Sequence, residues 1–306
     1  MDKNKAIDLN HLSILEVNGE GSFELLQGQI TCDVTKVSAK NSELGALCNA
    51  KGRIISSFNL CHLDDHSFAL IGHTEALIKT EEELRKYSPF YQVEIKENKS
   101  FSFFGVDKKA FEDVYNEQVT GTENTIEIGG CRFINYLDKK FLLAFCNENG
   151  LAEFKNLFEP IEEKAQWNLD EILNRNVEIS KENIGKFTPH ELNYDVNNRI
   201  DFEKGCYTGQ EVVARMHYLG KTKRRMYRAR IDANEIPNPG DDLFSKKGRS
   251  GQGAGKIVDA SPSPDGGFEI LIVAPIANVE ANDLFLSKES ENALQILELP
   301  YSLETE

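Results

Sequence analysis

Short strand-like runs, the first of them loosely alternating apolar and polar residues, dominate the first part of the chain and predict β-strands. They are separated by turn residues such as Asn18-Gly19 and Asp64-Asp65, and they lie at residues 9–20, 45–48, 53–63 and 67–71. The runs that meet at Asp64-Asp65 predict a hairpin in an antiparallel meander. Between the first two runs, Ser22 is expected to begin a short helix over residues 23–30.

Helical spacing appears next. Residues 74–87 place Leu77 and Leu84 near one face, so we expect a helix with Thr74 as N-cap and with its end at Ser88-Pro89. Strand-like runs return over residues 91–146 around a helical stretch near 110–115, and two further helices are predicted at 151–164 and 167–174. A polar loop follows at 179–199. This order of strands and helices favours an α+β fold.

The pattern changes after residue 230, where clusters of Pro, Gly and Ser separate short strand-like runs. Such spacing is typical of a small antiparallel barrel or sandwich. We place a boundary near Lys221. The predicted division is therefore an α+β region at residues 1–220 and a β-barrel domain at 221–306.

Charge argues against a general affinity for polyanions. The 306 residues include 35 Lys and Arg against 50 Asp and Glu, a formal net charge of −15. Binding to DNA or to an anionic membrane is therefore not expected. Residues 204–230 reverse the sign, because Glu211 is their one acid among many lysines and arginines. This segment is either the solvated face of a strand or a local anion-binding surface.

Targeting signals point to the cytoplasm. The longest apolar run, residues 268–279, is shorter than the roughly 20 residues of a membrane span and contains Glu269 and Pro275. The first residues do not have the pattern of a secretory signal. The six cysteines are scattered, with no CxxC pair, which is typical of a reducing compartment rather than of a disulfide framework.

The segment KGCYTGQE at residues 204–211 carries the most distinctive chemistry. Thr208 and Glu211 are three apart before an apolar run, which predicts a capping box at a helix start. Cys206 would then lie just before the positive end of the helix dipole, close to Lys204, and both influences favour the thiolate. The other cysteines are expected to pack in the core.

Two further observations concern ligands. Trp167 is the sole tryptophan and serves either as a core anchor or as a stacking surface for a flat ligand. His62 and His66 are four apart, but they flank the predicted Asp64-Asp65 turn rather than share a helix face. No metal site is predicted from them.

Several segments carry a resemblance to a known family. KGCYTGQEVVAR at residues 204–215 resembles the signature of the YgfZ family of folate-binding proteins, relatives of the glycine-cleavage T-protein, an aminomethyltransferase. The agreement extends to FELLQGQITCDV at 23–34, ALCNAKGRI at 46–54, LRKYSPFYQVEI at 84–95, and PNPGDDL and AGKIVDA near the end. The resemblance thus spans nearly the whole chain.

This resemblance implies two interlocked α+β domains around a central folate channel, followed by a small C-terminal β-barrel. It implies a folate-binding accessory protein that acts in tRNA modification, in particular thiolation, and in the assembly or maintenance of iron–sulfur enzymes. The implied ligand is tetrahydrofolate or a derivative, and the implied partners are iron–sulfur enzymes of tRNA thiolation and tRNA itself.

The resemblance also implies roles for individual residues. Cys206 is the functional thiol, and its loop is shaped by four neighbours: Lys204, Tyr207, Gln210 and Glu211. Trp167 stacks on the folate. The glutamate tail of folate, or an RNA phosphate, is assigned to three basic residues of the 221–230 segment: Lys223, Arg224 and Arg225.

Two departures from the relatives limit what is carried over. Leu12 stands where the family has a second tryptophan, and Ser56 and Ser57 stand near the position of the aminomethyltransferase aspartate. A serine hydroxyl near neutral pH neither carries charge nor accepts a proton as a carboxylate does. A folate-dependent one-carbon transferase or demethylase is therefore the second hypothesis. A third is an RNA-binding module that uses the basic segment alone, which the net charge opposes.

Overall fold

The computed structural model describes residues 3–119, 123–136, 139–220, 222–247, 253–299, 301 and 303; Lys221, where we placed the boundary, lies outside this set. The helices within it are α1 (Ser22–Gln27), α2 (Thr74–Leu84), α3 (Ser88–Tyr91), α4 (Lys108–Tyr115), α5 (Glu148–Leu157), α6 (Lys164–Leu173), α7 (Gln210–Leu219) and α8 (Ile276–Glu280). Short 3-10 helices lie at Val34–Lys36, Lys181–Asn183 and His190–Leu192.

The strands of the described residues form three sheets. They are β1 (Asn4–Asp8), β2 (Leu12–Asn18), β3 (Glu43–Cys48), β4 (Ile54–Asp64), β5 (Ser67–His73), β6 (Glu94–Glu97), β7 (Ser102–Asp107), β8 (Thr125–Ile128), β9 (Cys131–Ile134), β10 (Phe141–Cys146), β11 (Phe158–Ile161), β12 (Arg224–Ile231), β13 (Asp242–Leu243), β14 (Gly255–Pro262), β15 (Phe268–Pro275) and β16 (Gln295–Leu297). The predicted mixed α+β class is confirmed.

The first two sheets are each built from strands that are not consecutive along the chain. One is five-stranded in the order β3-β4-β5-β2-β6 and contains the predicted β4–β5 hairpin, while the other is six-stranded in the order β11-β1-β7-β10-β9-β8. Strand β1 therefore joins the second sheet before the chain builds the first, where it pairs with β7 antiparallel and β11 parallel. Ile14 and Ile71 of one sheet share a core with Leu143 and Phe145 of the other.

The third sheet has the order β13-β14-β15-β12-β16 and packs on the first through a common core. Leu271 and Val273 of β15 share that core with Cys48 and Ile54 of the first sheet. In the described residues β13 and β16 are its two edge strands. Closure of this sheet into a barrel stays a prediction.

Residues 158–161 correct the predicted helix at 151–164. Helix α5 ends at Leu157 and the chain continues as β11, whose Phe158 is fully buried against Phe154 at a ring-centroid distance of 4.9 Å. Pro160 lacks an N–H and so favours the edge position that β11 occupies in the sheet. Pairing with β1 here outweighs helix propensity.

The helix at 74–87 is confirmed in existence and corrected at both ends. Its N-cap is His73, and the Thr74 hydroxyl instead donates to the carbonyl oxygen of His11 at 3.0 Å. The helix ends at Leu84, and Ser88 and Pro89, predicted to stop it, begin the single turn α3. Proline is favoured in a first turn because the N–H that it lacks would have no partner there.

The cysteine pattern also differs from the expectation. Cys131 and Cys146 form a disulfide between directly opposed residues of β9 and β10. Linear spacing carries no information on which cysteines face each other across a sheet, which explains why the sequence did not indicate this pair. No helix in the described part of the chain combines the length and apolarity that crossing a membrane requires.

Candidate functional site

A cavity of about 290 Å³ lies between helix α6, the end of β5 in the first sheet and β14 of the third sheet. The segments that form its wall come from distant parts of the sequence. They contribute Trp167 and Glu171 of α6, Glu178 of the segment that follows α6, Asp259 of β14, and His11 and His73 at the ends of β2 and β5. The arrangement places one indole among several titratable groups.

Two features place Trp167 in the cavity wall: its position on the buried face of α6, and a glycine in the strand against which the indole packs. The helix buries Trp167, Asp170 and Glu171 on one face, as the spacing of three and four residues dictates. The indole lies against Gly105 of β7, where a β-carbon would approach its Cε3 atom to 2.6 Å. Trp167 is 4% exposed, so it serves as a core anchor and as part of the cavity wall.

Glu171 is held in a buried polar network. Its carboxylate accepts hydrogen bonds from Lys139, from the Asn176 amide and from the Tyr136 hydroxyl, the last at 3.1 Å. The Lys139 ammonium also donates to the Tyr136 hydroxyl at 2.8 Å. The charge of Glu171 is therefore matched inside the protein and supports the wall of the cavity.

Glu178 differs from Glu171 because its carboxylate has no hydrogen-bond partner among the described residues. Burial, and then the charge of Glu171, raise the pKa of Glu178 to about 7. Burial likewise raises the pKa of Asp259 to about 7, although its carboxylate accepts from the backbone N–H of Ala260 at 2.8 Å. Both groups can gain or lose a proton near neutral pH, so this wall offers acid and base chemistry.

The opposite part of the wall contains two imidazoles. The rings of His11 and His73 lie 4.9 Å apart, and burial lowers their pKa values to about 2 and about 4. Both rings are therefore neutral at pH 7. Lys164, whose pKa is lowered by burial, and Lys181 are the cations of the cavity wall.

The loop that carries Cys206 lies elsewhere on the molecule. Cys206 is exposed and is not among the residues that line the cavity. Helix α7 begins at Gln210 with Gly209 as its N-cap, at φ +85° and without a side-chain cap. The capping-box prediction is wrong, because the Thr208 hydroxyl donates instead to Oε1 of Gln29 at 2.8 Å, and Glu211 is exposed.

Lys204 and Tyr207, on either side of Cys206, are buried and anchor this loop to the core. The buried Lys204 ammonium donates to the carbonyl oxygens of Ile30 and Cys32, both at 2.7 Å, and burial lowers its pKa to about 8. It also lies 5.4 Å from the centre of the buried Tyr207 ring. Gln210 approaches the Gly205 carbonyl oxygen at 3.5 Å. The Lys204 ammonium therefore ties its loop to the backbone of residues 30–32 and is not free to pair with the Cys206 thiolate.

The three basic residues assigned to the folate tail do not line the cavity. Lys223 is exposed, Arg224 lies 3.6 Å from a carboxylate oxygen of Glu191, and Arg225 is buried and donates to both oxygens of Asp195 at 2.7 and 2.8 Å.

Ser56 and Ser57, which we placed near the position of the aminomethyltransferase aspartate, make hydrogen bonds within the protein. Ser56 Oγ lies 2.5 Å from the Thr80 hydroxyl, and Ser57 Oγ accepts from the Ile179 N–H at 2.8 Å. Leu12, at the position of the second family tryptophan, is buried in the core between the first two sheets.

Sequence reasoning missed most of the cavity. Glu178, Asp259, His11, His73 and Lys164 belong to no linear motif, and only the fold brings them together. Glu178 stands between the apolar residues Val177 and Ile179 next to a polar loop. Alternation by itself predicts this acid on the exposed face, so the burial of Glu178 follows only from the fold.

Cysteine exposure leads to a labelling prediction. Cys32, Cys48 and Cys61 are buried, and burial raises their pKa values to about 12. Brief treatment of the native protein with iodoacetamide near neutral pH should therefore modify Cys206 first, since the thiolate is the reactive form. Peptide mass spectrometry reads out the site, with the unfolded, unreduced protein as the control that exposes all free thiols. Equal early labelling of a buried thiol would contradict this assignment.

Comparison with known proteins bears on the fold. No protein-family model matches the chain. Among solved structures, the chain is similar to the crystal structure of glycine cleavage system aminomethyltransferase T from Bartonella henselae, with a TM-score of 0.74 and 17% sequence identity. The match covers 97% of this chain and 86% of that one. The chain therefore has a fold like that of a glycine-cleavage aminomethyltransferase.

Proposed function

We propose that the protein is a folate-binding accessory protein of the YgfZ type, and that its central cavity binds the pterin head of tetrahydrofolate or a derivative. The observation that carries the proposal is the meeting of Trp167 with the unpaired carboxylate of Glu178 in one cavity of an aminomethyltransferase-like fold. An aromatic ring and a few directed polar groups are what a flat heterocycle needs.

The chemistry of the wall suits a reduced pterin. The pterin ring presents an N–H and an adjacent amino group on one edge, and a carboxylate can accept from both. Glu178 is free to do so among the described groups, and the neutral imidazoles of His11 and His73 offer further polar contacts without added charge. Pairing with the ligand would favour the ionised form of Glu178.

Cavity size and charge indicate where the rest of folate would lie. A volume of about 290 Å³ is at the lower end of the range of roughly 300–1,000 Å³ for small-molecule sites, so it suits the ring system rather than the whole ligand. The glutamate tail would extend outward past Lys164 and the exposed Lys181. Lys223 and Arg224 remain proposed contacts for a longer polyglutamate tail or for an RNA phosphate at the surface, with Lys223 the most accessible. Arg225 is buried and would have to leave Asp195 to make such a contact.

The exposed position of Cys206 supports a role in contacts with a protein or RNA partner. An exposed thiol outside the cavity is accessible to a protein or RNA partner rather than to the bound pterin. We therefore propose that folate binding and the Cys206 loop together serve tRNA thiolation and the maintenance of its iron–sulfur enzymes in the cytoplasm. The proposal includes residues 1–220 as the folate-binding region and a closed barrel at 221–306.

A one-carbon transferase of the aminomethyltransferase type is the second candidate. Glu178 and Asp259 favour it, because carboxyl groups with pKa values of about 7 can exchange protons with a bound substrate. Ser56 and Ser57 oppose it, because their hydroxyls are engaged by Thr80 and Ile179. Steady-state turnover of a methylene donor with tetrahydrofolate separates the two candidates, and the accessory role predicts no turnover.

Complementation tests the accessory role. In a host that lacks its own protein and is defective in tRNA thiolation, wild type should restore thiolated tRNA and Cys206→Ser should not. Glu203→Gln is the matched control, because Glu203 is exposed on the same loop. Full restoration by Cys206→Ser at equal protein level would show that the thiol is dispensable and that this loop has a purely structural role.

A further inference from the structure

A second cluster of titratable groups lies on the side of α7 that packs against the 3-10 helix His190–Leu192. His190, Asp195 and His217 each present a ligand atom, and these atoms lie within 4.8 Å of one another. The His190 Nε2 to Asp195 Oδ2 distance is 4.0 Å. None of the three residues lines the central cavity.

The imidazole nitrogens of this cluster lack partners. Both ring nitrogens of His190, which is 2% exposed, and Nδ1 of His217 are buried without a hydrogen-bond partner among the described residues. Buried polar atoms are nearly always satisfied, so nitrogens left unpaired in this way indicate an ordered water or an ion.

We propose that His190, Asp195 and His217 bind one divalent transition-metal ion of the Zn²⁺ type. Two imidazoles and one carboxylate are a ligand set that proteins use for zinc and for non-haem iron. Metal–ligand bonds of about 2.0–2.2 Å require ligand atoms roughly 3.4 Å apart in tetrahedral geometry. Separations of up to 4.8 Å would have to contract by up to about 1.4 Å, which rotation of the side chains can supply.

Surrounding residues would orient these ligands. Phe202 stacks on the His217 ring at a centroid distance of 3.8 Å and an interplanar angle of 14°. The Arg225 guanidinium donates to both oxygens of Asp195 and to the His190 carbonyl oxygen at 3.0 Å. Such outer contacts fix ligand geometry, while the positive charge of Arg225 makes this site weaker than one with an unshared carboxylate.

The proposed ion would not be enclosed. A cavity of about 550 Å³ adjoins the cluster and is lined by His190, Asp195, His217 and Arg225 together with Thr222 and Tyr227. Three protein ligands leave a fourth position, and this cavity gives it access to water or to a small ligand with an anionic oxygen. That geometry is typical of a reactive rather than a purely structural metal site.

Metal titration of the full chain, without added histidines, tests the proposal. Calorimetry with Zn²⁺ alone should show one site, and Co²⁺ alone should give the visible absorption of a bound tetrahedral or five-coordinate ion. His190→Gln and His217→Gln should each weaken Zn²⁺ binding by at least about tenfold, since loss of an outer-shell contact already costs about 10- to 100-fold. His66→Gln, at the exposed β4–β5 turn, should leave binding unchanged.

The outcomes decide between a metal and a water. Absence of Zn²⁺ binding by the wild type, or equal affinity in His217→Gln, overturns the proposal and assigns the unpaired nitrogens to buried water. Circular dichroism and the melting temperature verify folding of each variant. If His190→Gln does not fold, His217→Gln still decides, because His217 is only partly buried.

Discussion

Replacing Glu178 with glutamine is expected to weaken tetrahydrofolate binding by roughly 10- to 100-fold at pH 8. A hydrogen bond to a charged group contributes about 1.5–3 kcal/mol, and each 1.4 kcal/mol corresponds to a factor of ten in affinity. Glutamine keeps the shape of the side chain and one acceptor oxygen but loses the charge and the second acceptor. Calorimetric titration of wild type and variant measures the difference.

The same substitution, although it weakens ligand binding, should increase the stability of the ligand-free protein at pH 8. The folded-state pKa of Glu178 is about 7, against an ordinary value of 4.5, so the folded state binds more protons between these pH values. The free energy of unfolding therefore falls as pH rises from about 4.5 through 7. Glu178→Gln removes this penalty and should stabilise the protein by up to about 3 kcal/mol at pH 8, with little effect near pH 4.

Glu182→Gln is the matched control, because Glu182 also lines the cavity but is exposed at its mouth. It should change neither the affinity nor the pH dependence appreciably. An unchanged affinity in Glu178→Gln would mean that the carboxylate does not contact the ligand. Loss of binding together with loss of stability at pH 8 would instead mean that Glu178 has an internal partner.

Lys139→Met is expected to destabilise the protein by about 3–5 kcal/mol. Lys139 is buried and pairs with Glu171, and breaking a buried ion pair leaves the remaining charge uncompensated. The double variant Lys139→Met/Glu171→Gln should recover part of this loss, since no buried charge then remains unpaired. Denaturant unfolding at pH 7 measures all three proteins.

The adjacent Lys140 supplies the comparison for this experiment. Its side chain is 62% exposed and lies 3.6 Å from Asp107, so Lys140→Met should cost less than about 1 kcal/mol. A cost as small for Lys139→Met would show that the Lys139–Glu171 pair does not support the wall of the cavity. A double variant less stable than the single one would contradict charge imbalance as the cause.

Apolar strand-like runs and the turn residues between them predicted local structure well. Strands β4 and β5, which are buried over most of their length, follow from such runs, and their turn lies at Asp65-His66, one residue beyond the predicted Asp64-Asp65. Residues 158–161 were not predicted as a strand, because β11 exists through its pairing with β1 at the other end of the region. The prediction of Thr208 as a helix cap was wrong for a similar reason, because its hydroxyl donates to Gln29, which is distant in sequence.

Some residues of the candidate site could be identified from the sequence and others could not. Trp167 could be singled out from the sequence because it is the sole tryptophan, and Cys206 because of its motif. Glu178, Asp259 and His73 could not be joined to Trp167, because two sheets and helix α6 bring them together from distant parts of the sequence. The sequence also did not show which basic side chains are paired inside the protein. Arg225 lies in a basic run and was predicted to bind an anion, but in the structure it forms an ion pair with Asp195.

Fluorescence of Trp167 tests folate binding in the central cavity most directly. All tryptophan emission comes from this one residue, whose indole lies in the cavity wall. Tetrahydrofolate should quench the emission along the same saturation curve that calorimetry gives, after correction with free tryptophan for absorption of light by the ligand. Unchanged emission at calorimetric saturation would place the ligand elsewhere, and absence of binding by calorimetry would contradict the proposed function itself.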